Sequence, residues 1–131
     1  MEEQRAKEAA DAAAVDKAVE KILGPTEAQK AEGFVHAGDG VLIRWATEAE
    51  KKTARSNCIS GLSCFIVTVE MNGSCPGGIY IELKLKDSSG NVVGRSNEMT
   101  PAMREGDRGV FAITGATKAP KAAIGEVNCH T

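Results

Sequence analysis

The sequence predicts a mainly β protein, with an antiparallel β-sandwich over about residues 40 to 131 and an N-terminal α-helix before it. Residues 65 to 71 and residues 79 to 86 alternate between apolar and polar side chains, as half-buried strands do. Further short apolar segments, separated by turn residues, continue to the C-terminus, and no helical pattern follows residue 57. We therefore divide the chain into a helical extension, residues 1 to 39, and a sandwich domain, residues 40 to 131.

Residues 2 to 23 are predicted to form one helix, because Ala, Glu and Lys dominate and neither Gly nor Pro interrupts them. Gly24 and Pro25 end it. We interpret this helix as a spacer between the domain and a membrane anchor. A docking or oligomerising segment is the other functional interpretation, and packing against the sandwich through Val19, Ile22 and Leu23 is the purely structural one.

The stretch between the helix and the main strands mixes helix and strand signals. Thr26 and Gln29 have the spacing of a capping box, which predicts a short second helix that ends near Gly33. Residues 41 to 45 are predicted to form the first strand, with Trp45 as a core residue that caps the sandwich; its alternative role is an exposed anchor for a partner or a glycan. Residues 47 to 57 are expected to be a solvated connection, since no apolar residue anchors a helix there.

Residues 79 to 86 give the clearest strand, because apolar side chains occupy every second position. A shift by one residue would bury the polar and charged side chains, so the register is strongly fixed. Residues 87 to 91 are predicted to form a hairpin loop in which Gly90 supplies a positive φ. Two more strands are expected around residues 109 to 114 and 122 to 129.

Four cysteines, all in the β-patterned part, are predicted to form two disulfides, Cys58 to Cys64 and Cys75 to Cys129. The first pair flanks a short segment with turn character, and the second would tie the last strand to the start of the strongest one. Five, ten and 53 residues separate successive cysteines, whereas structural zinc sites present ligands two to four residues apart. These spacings favour disulfides over a zinc site or free thiols.

Composition restricts the partners. The chain has 16 basic and 18 acidic residues and a net charge of −2, so nothing indicates a nucleic-acid partner or an anionic membrane surface. An even number of cysteines in a β-rich domain is typical of an oxidising compartment. We therefore expect an extracytoplasmic location. Met1 begins a charged stretch and not a leader, so this expectation requires a native leader that the given sequence lacks.

No residue set indicates catalysis, a cofactor or a metal site, and we interpret His36 and His130 as surface imidazoles. The predicted binding surface is the loop end where rigid backbone and a disulfide meet. Within it, Asn72, Gly73 and Ser74 also match a glycosylation sequon, although we favour a tight turn there. The surface comprises Asn72, Gly73, Ser74, Pro76, Gly77 and Tyr80.

Three segments carry a resemblance: the Cys-Pro-Gly-Gly-Ile-Tyr-Ile-Glu sequence of residues 75 to 82, the hairpin of residues 85 to 94, and residues 124 to 129. They resemble small exported actinobacterial proteins of unassigned function that have an immunoglobulin-like domain of the FxLYD type. A Gly-containing turn at Glu105 and Gly106 and the apolar residues 110 to 113 also match, whereas the signature Leu-Tyr-Asp is absent. The resemblance covers about residues 40 to 131. It implies an immunoglobulin-like sandwich behind a leader or lipid anchor, and no catalytic residue.

Together these features favour a non-catalytic binding module that is exported or displayed at the cell surface, as a secreted protein or a lipoprotein ectodomain. Its expected partner is a protein or another cell-envelope component. The alternative is an inhibitor or exclusion factor whose rigid loops block an enzyme or a channel. No cofactor and no nucleic acid are expected, and membrane contact is expected only through a missing N-terminal anchor.

Overall fold

The computed structural model describes residues 24 to 58, 62 to 115 and 118 to 130. The helix predicted over residues 2 to 23 lies outside the described residues. The described chain forms two short helices, a 3₁₀ turn and seven strands. In chain order they are α1 (Glu27–Ala31), β1 (Val35–His36), β2 (Val41–Trp45), α2 (Glu48–Ala54), the 3₁₀ helix Arg55–Asn57, β3 (Ser63–Met71), β4 (Ile79–Lys86), β5 (Val92–Met99), β6 (Arg108–Gly115) and β7 (Lys121–Cys129).

The strands form two antiparallel sheets, which confirms the predicted mainly β, antiparallel fold. Sheet I has the order β1-β2-β3-β6, and sheet II has the order β5-β4-β7. The chain crosses between the sheets after β3, after β5 and after β6. The sheets therefore face each other in a sandwich-like arrangement.

The main core lies between the two sheets. On β4, Ile79, Ile81, Leu83 and Leu85 are completely buried while the residues between them are half-exposed, as the alternation predicted. Sheet I contributes Val41 and Ile43 from β2, with Val67, Val69 and Ile113 from β3 and β6. Burial of these branched side chains from water is the main force that holds the sheets together.

The outer face of sheet I is covered, and this corrects the prediction for residues 47 to 57. That segment contains α2 and the 3₁₀ helix and is not merely a solvated connection. Thr47 and Glu50 form a full capping box at the start of α2. A single small residue, Ala54, anchors the helix by packing against Ile66 in a second apolar cluster. Strand β1 was also not predicted, because it is only two residues long and shows no alternation.

Phe34 and a network of charged side chains cover the other half of this face. The ring of Phe34 is 3% exposed, and the guanidinium carbons of Arg44 and Arg108 lie 4.5 Å and 5.2 Å from its centroid. The predicted helix α1 is confirmed, with its capping box between Thr26 and Gln29. The Gln29 side-chain amide donates to Glu70 on β3, so α1 is tied to the sheet by polar contacts.

Both predicted disulfides are present. The Cα atoms of Cys58 and Cys64 are 5.7 Å apart, and those of Cys75 and Cys129 are 5.4 Å apart. Two disulfides are compatible with an oxidising, extracytoplasmic environment. Among the described helices, none has the length and apolar character needed to cross a bilayer.

Candidate functional site

A groove of about 600 Å³ opens at the end of the molecule where β2 stops and β7 begins. We call it the Trp45 groove. Its apolar lining comes from Trp45 on β2, Phe65 and Ile66 on β3, and Ala122 on β7, with the Cys58–Cys64 disulfide in its wall. Pro120, Lys51, Arg55 and Lys121 complete the lining, and the Lys121 Nζ donates to the Ser88 carbonyl over 3.5 Å.

Trp45 is the large aromatic side chain that this groove leaves accessible. It follows Val41 and Ile43 at the spacing of two that places them on the core-facing side of β2. Its ring centroid lies 6.3 Å from that of Phe65 at an angle of 57°. Lys121 and Ala122 of β7 line the same groove, and Trp45 is 41% exposed. The expectation of a core residue was therefore wrong, and Trp45 has the exposure that its alternative role requires.

The Cys58–Cys64 disulfide and α2 fix the cationic side of the groove. The disulfide joins the end of the 3₁₀ helix to the start of β3. Ala54 holds the same segment against Ile66. Lys51 on α2 and Arg55 on the 3₁₀ helix are thereby presented at the groove, and the Nζ atom of Lys51 lies 3.3 Å from Glu48 Oε1.

A second, smaller depression of about 330 Å³ adjoins the groove at Pro120. It adds Leu62, which is 41% exposed, and Lys118. Ser63 fixes its wall, because its Oγ accepts a 2.7 Å hydrogen bond from Ala119 N–H and donates to the Ala119 carbonyl over 3.1 Å. The two depressions form one elongated surface in which apolar and cationic groups alternate.

The charge of this surface is one-sided. Its described lining residues include four cations and no carboxylate, although the whole chain has more acidic than basic residues. Charges of one sign around an apolar groove attract ligands of the opposite sign. The arrangement is suited to a ligand with both apolar and anionic groups.

The predicted binding surface lies elsewhere, around the Cys75–Cys129 disulfide, and its polar groups are largely used within the protein. The Asn72 amide donates to Gly24 O and to Gln29 Oε1, both over 2.9 Å. Gly73 packs on the carbonyl oxygen of Asp39, which leaves no room for a Cβ. Asn72 and Gly73 thus hold the loop in place.

The remaining members of that surface are more accessible. Ser74 Oγ accepts from Glu105 N–H over 3.2 Å, and Gly77 N–H donates to the His130 carbonyl over 2.8 Å. Pro76 is exposed, and the Tyr80 hydroxyl donates to Glu82 over 3.4 Å. The structure therefore brings these residues together at one end, and their role as a binding surface stays a prediction. Sequence reasoning missed the Trp45 groove, for which the alternative role of Trp45 was the one available signal.

No metal-binding cluster of three or more His, Cys, Asp or Glu side chains occurs among the described residues. His36 Nε2 accepts from Gly40 N–H over 3.2 Å and stabilises the turn before β2. The Trp45 groove offers a ligand apolar contact and positive charge. Comparisons with protein-family models, with curated proteins and with solved structures find no significant match.

Proposed function

We propose that this protein is a non-catalytic binding module that acts outside the cytoplasm, secreted or at the cell surface, and that the Trp45 groove is its binding site. The observation that carries this proposal is an accessible tryptophan in an apolar groove whose lining also includes Lys51, Arg55 and Lys121. Tryptophan and arginine are over-represented among residues that dominate binding energies. An apolar concavity with a few polar groups is also the usual form of a binding site.

The strand order supports an immunoglobulin-like sandwich as the scaffold, and the FxLYD type is proposed from the sequence resemblance alone. In that scaffold the neighbours β2-β3-β6 and β5-β4-β7 would take the places of strands A-B-E and C′-C-F. In such sandwiches the loops and strand ends cluster at the two ends, where binding sites form. The Trp45 groove occupies one of these ends.

The two disulfides support the extracytoplasmic location, because intracellular reductants keep most thiols reduced. The partner we propose is a protein or another envelope component. Protein recovered from its native compartment should have no thiol that iodoacetamide can alkylate before reduction. Four alkylatable thiols would contradict the proposed location.

Site-specific photocrosslinking tests the binding site. A photoreactive residue at Leu62, beside the groove, is compared with one at Pro76, in the predicted loop surface; both positions are exposed. We expect a specific adduct from Leu62 in the native extracytoplasmic fraction, and we expect Arg55→Gln/Lys121→Gln to abolish it. Adducts from Pro76 alone would favour the loop end over the groove, and no adduct at either position would contradict a binding module.

A further inference from the structure

The groove lies beside a strand that has an open edge. Within the described part of the chain, β7 pairs only with β4, so its other side lacks a neighbouring strand. An open edge exposes a row of backbone N–H and C=O groups that another extended segment can pair with. This edge is the natural site for an added strand.

A bulge restricts where such a strand could pair. Ile81 and Leu83 on β4 pair with Val127 and Ile124 on β7, so three residues of β7 span the distance that two residues of β4 span. The bulge divides the edge into two regular parts, residues 121 to 124 and residues 127 to 129. The first part begins at the Trp45 groove, which Lys121 and Ala122 line.

The groove lies where every second side chain of an added strand would point. Neighbouring strands in a sheet lie about 4.8 Å apart, and successive side chains point to opposite faces. A segment paired with residues 121 to 124 would direct every second side chain to the same face as Ala122, which packs against the core. On that face the groove offers Trp45 and Phe65.

The cations beside this edge determine the charge of the segment. Lys51, Arg55 and Lys121 line the groove, and Lys118 lines the adjoining depression. Glu48 already balances part of this positive charge at Lys51. Carboxylates on the segment would complement the rest, and lysines or arginines would be repelled.

We propose that the Trp45 groove binds an extended acidic peptide segment, which adds to β7 as an extra strand and inserts an aromatic or large aliphatic side chain against Trp45. This inference rests on the proposed function and specifies its ligand. The elongated surface and the open edge favour a peptide over an anionic membrane, because the apolar side chains line a concavity. Membrane insertion would instead require them to protrude.

Trp45 itself provides the measurement, because it is the single tryptophan of the chain. The probe is a synthetic heptapeptide with phenylalanine and leucine at its third and fifth positions and glutamates elsewhere. Three matched peptides serve as controls: one with lysines for the glutamates, one with serines for the apolar residues, and one with alternate backbone amides N-methylated. Titration is followed by Trp45 emission in the purified full chain at low and high salt.

We expect the acidic peptide to shift Trp45 emission saturably and to bind about tenfold more weakly in 0.5 M salt, since screening weakens exposed charge contacts. Each control peptide should bind at least about tenfold more weakly than the acidic one. Arg55→Gln/Lys121→Gln should weaken binding by a similar factor, as each exposed charge contact is worth up to about 1 kcal/mol. The matched double variant Lys30→Gln/Arg104→Gln removes two cations outside the groove and should bind like the wild type.

Equal binding of the lysine peptide would overturn the acidic ligand, and equal binding of the N-methylated peptide would overturn the added strand. A response only to phosphatidylglycerol vesicles would also overturn the proposal and point to a membrane. If every peptide fails while Leu62 still forms its crosslink, the groove remains the binding site and the ligand class is wrong. If both experiments fail, the proposed function fails as well.

Discussion

Arg44 and Glu50 form an ion pair on the outer face of sheet I, with Arg44 Nη2 3.0 Å from Glu50 Oε2 and side chains only 12% and 18% exposed. The same carboxylate accepts from Thr47 N–H at the start of α2. This one contact therefore ties the helix to β2. It also helps to hold Lys51 and Arg55 at the groove.

Loss of either partner should destabilise the fold, because it leaves the other charge unpaired in a largely desolvated position. We expect Arg44→Met to lower the free energy of unfolding by about 3 kcal/mol. In a double-mutant cycle with Glu50→Gln, measured by urea unfolding, the combined variant should lose at least about 1 kcal/mol less than the sum of the singles. Simple additivity would mean that the pair contributes no coupling.

The ion pair also predicts a pH dependence. Burial raises the pKa of Glu50, but the hydrogen bond from Thr47 N–H and the Arg44 guanidinium outweigh it, so the pKa lies below the usual 4.5. The stabilisation is therefore present above pH 4.5 and is lost as the pH falls through the lower, folded-state value. Glu50→Gln should lose less stability than the wild type between pH 5 and acid unfolding.

The Glu50→Gln variant should still lose some stability as the pH falls, because a second carboxylate contributes. Hydrogen bonds from the backbone amides of Asn91 and Ser89 lower the pKa of Asp87 in the β4–β5 hairpin, and this has the same sign. Urea midpoints measured along a pH series for both proteins test this. Parallel curves would show that Glu50 has the same pKa in the folded and unfolded chain.

The two disulfides should differ in what they contribute. In a chain-entropy treatment the Cys75–Cys129 bridge, with a sequence separation of 54, stabilises by ~4 kcal/mol. The Cys58–Cys64 bridge, with a separation of 6, stabilises by ~2 kcal/mol. Replacing the first pair with Ser should therefore lower the melting temperature more than replacing the second. The reverse order would mean that the groove wall matters more to stability than the closure of the long loop.

Gly78 and Gly90 form a matched pair for a test of backbone packing. Their φ angles are +86° and +88°, but a Cβ at Gly78 would collide with the Thr100 carbonyl oxygen, whereas nothing lies within 4 Å at Gly90. Gly90→Ala should cost about 1 kcal/mol for the left-handed conformation alone. Gly78→Ala should cost about 3 kcal/mol or more, because the collision adds to that strain. Equal losses in urea unfolding would contradict the close approach of these two segments.

The charge around Trp45 can be tested with simple ions. Iodide and caesium both quench tryptophan fluorescence, and Lys51, Arg55 and Lys121 should concentrate the anion near the ring. We expect the ratio of the iodide to the caesium Stern–Volmer constant to exceed the ratio for free N-acetyltryptophanamide. The excess should shrink in Arg55→Gln/Lys121→Gln and persist in Lys30→Gln/Arg104→Gln. A ratio at or below that of N-acetyltryptophanamide would contradict a cationic groove.

The strands were predictable because their alternation records which side chains face the core. On β4 the apolar residues occupy every second position without exception, and the structure buries all of them. Helix α2 was missed because its anchor is a single alanine, Ala54, whose small apolar area gives no amphipathic signal. The local sequence around Ala54 cannot show that Ala54 packs against Ile66 of β3.

Trp45 shows a different limit of sequence reasoning. The alternation with a period of two placed Trp45 on the core-facing side of β2. Its burial, however, depends on the size of the side chains that the other sheet contributes at that end of the sandwich. Ala122, which lines the same groove, lies 77 positions away in the sequence. The groove is thus a property of the pairing between distant strands, and neither strand encodes it alone.

The Cys75–Cys129 disulfide also determines how the chain would respond to mechanical force. If the protein is tethered through its N-terminus and pulled at a bound partner, the covalent bridge shields the intervening residues from extension. Those 54 residue steps correspond to roughly 180 Å of contour length that tension cannot release. Within the long loop lie β4 to β7, including the edge beside the groove. The β7 edge proposed to pair with the ligand would therefore resist extension, whereas Trp45 and Phe65 precede Cys75 and lie outside the protected loop.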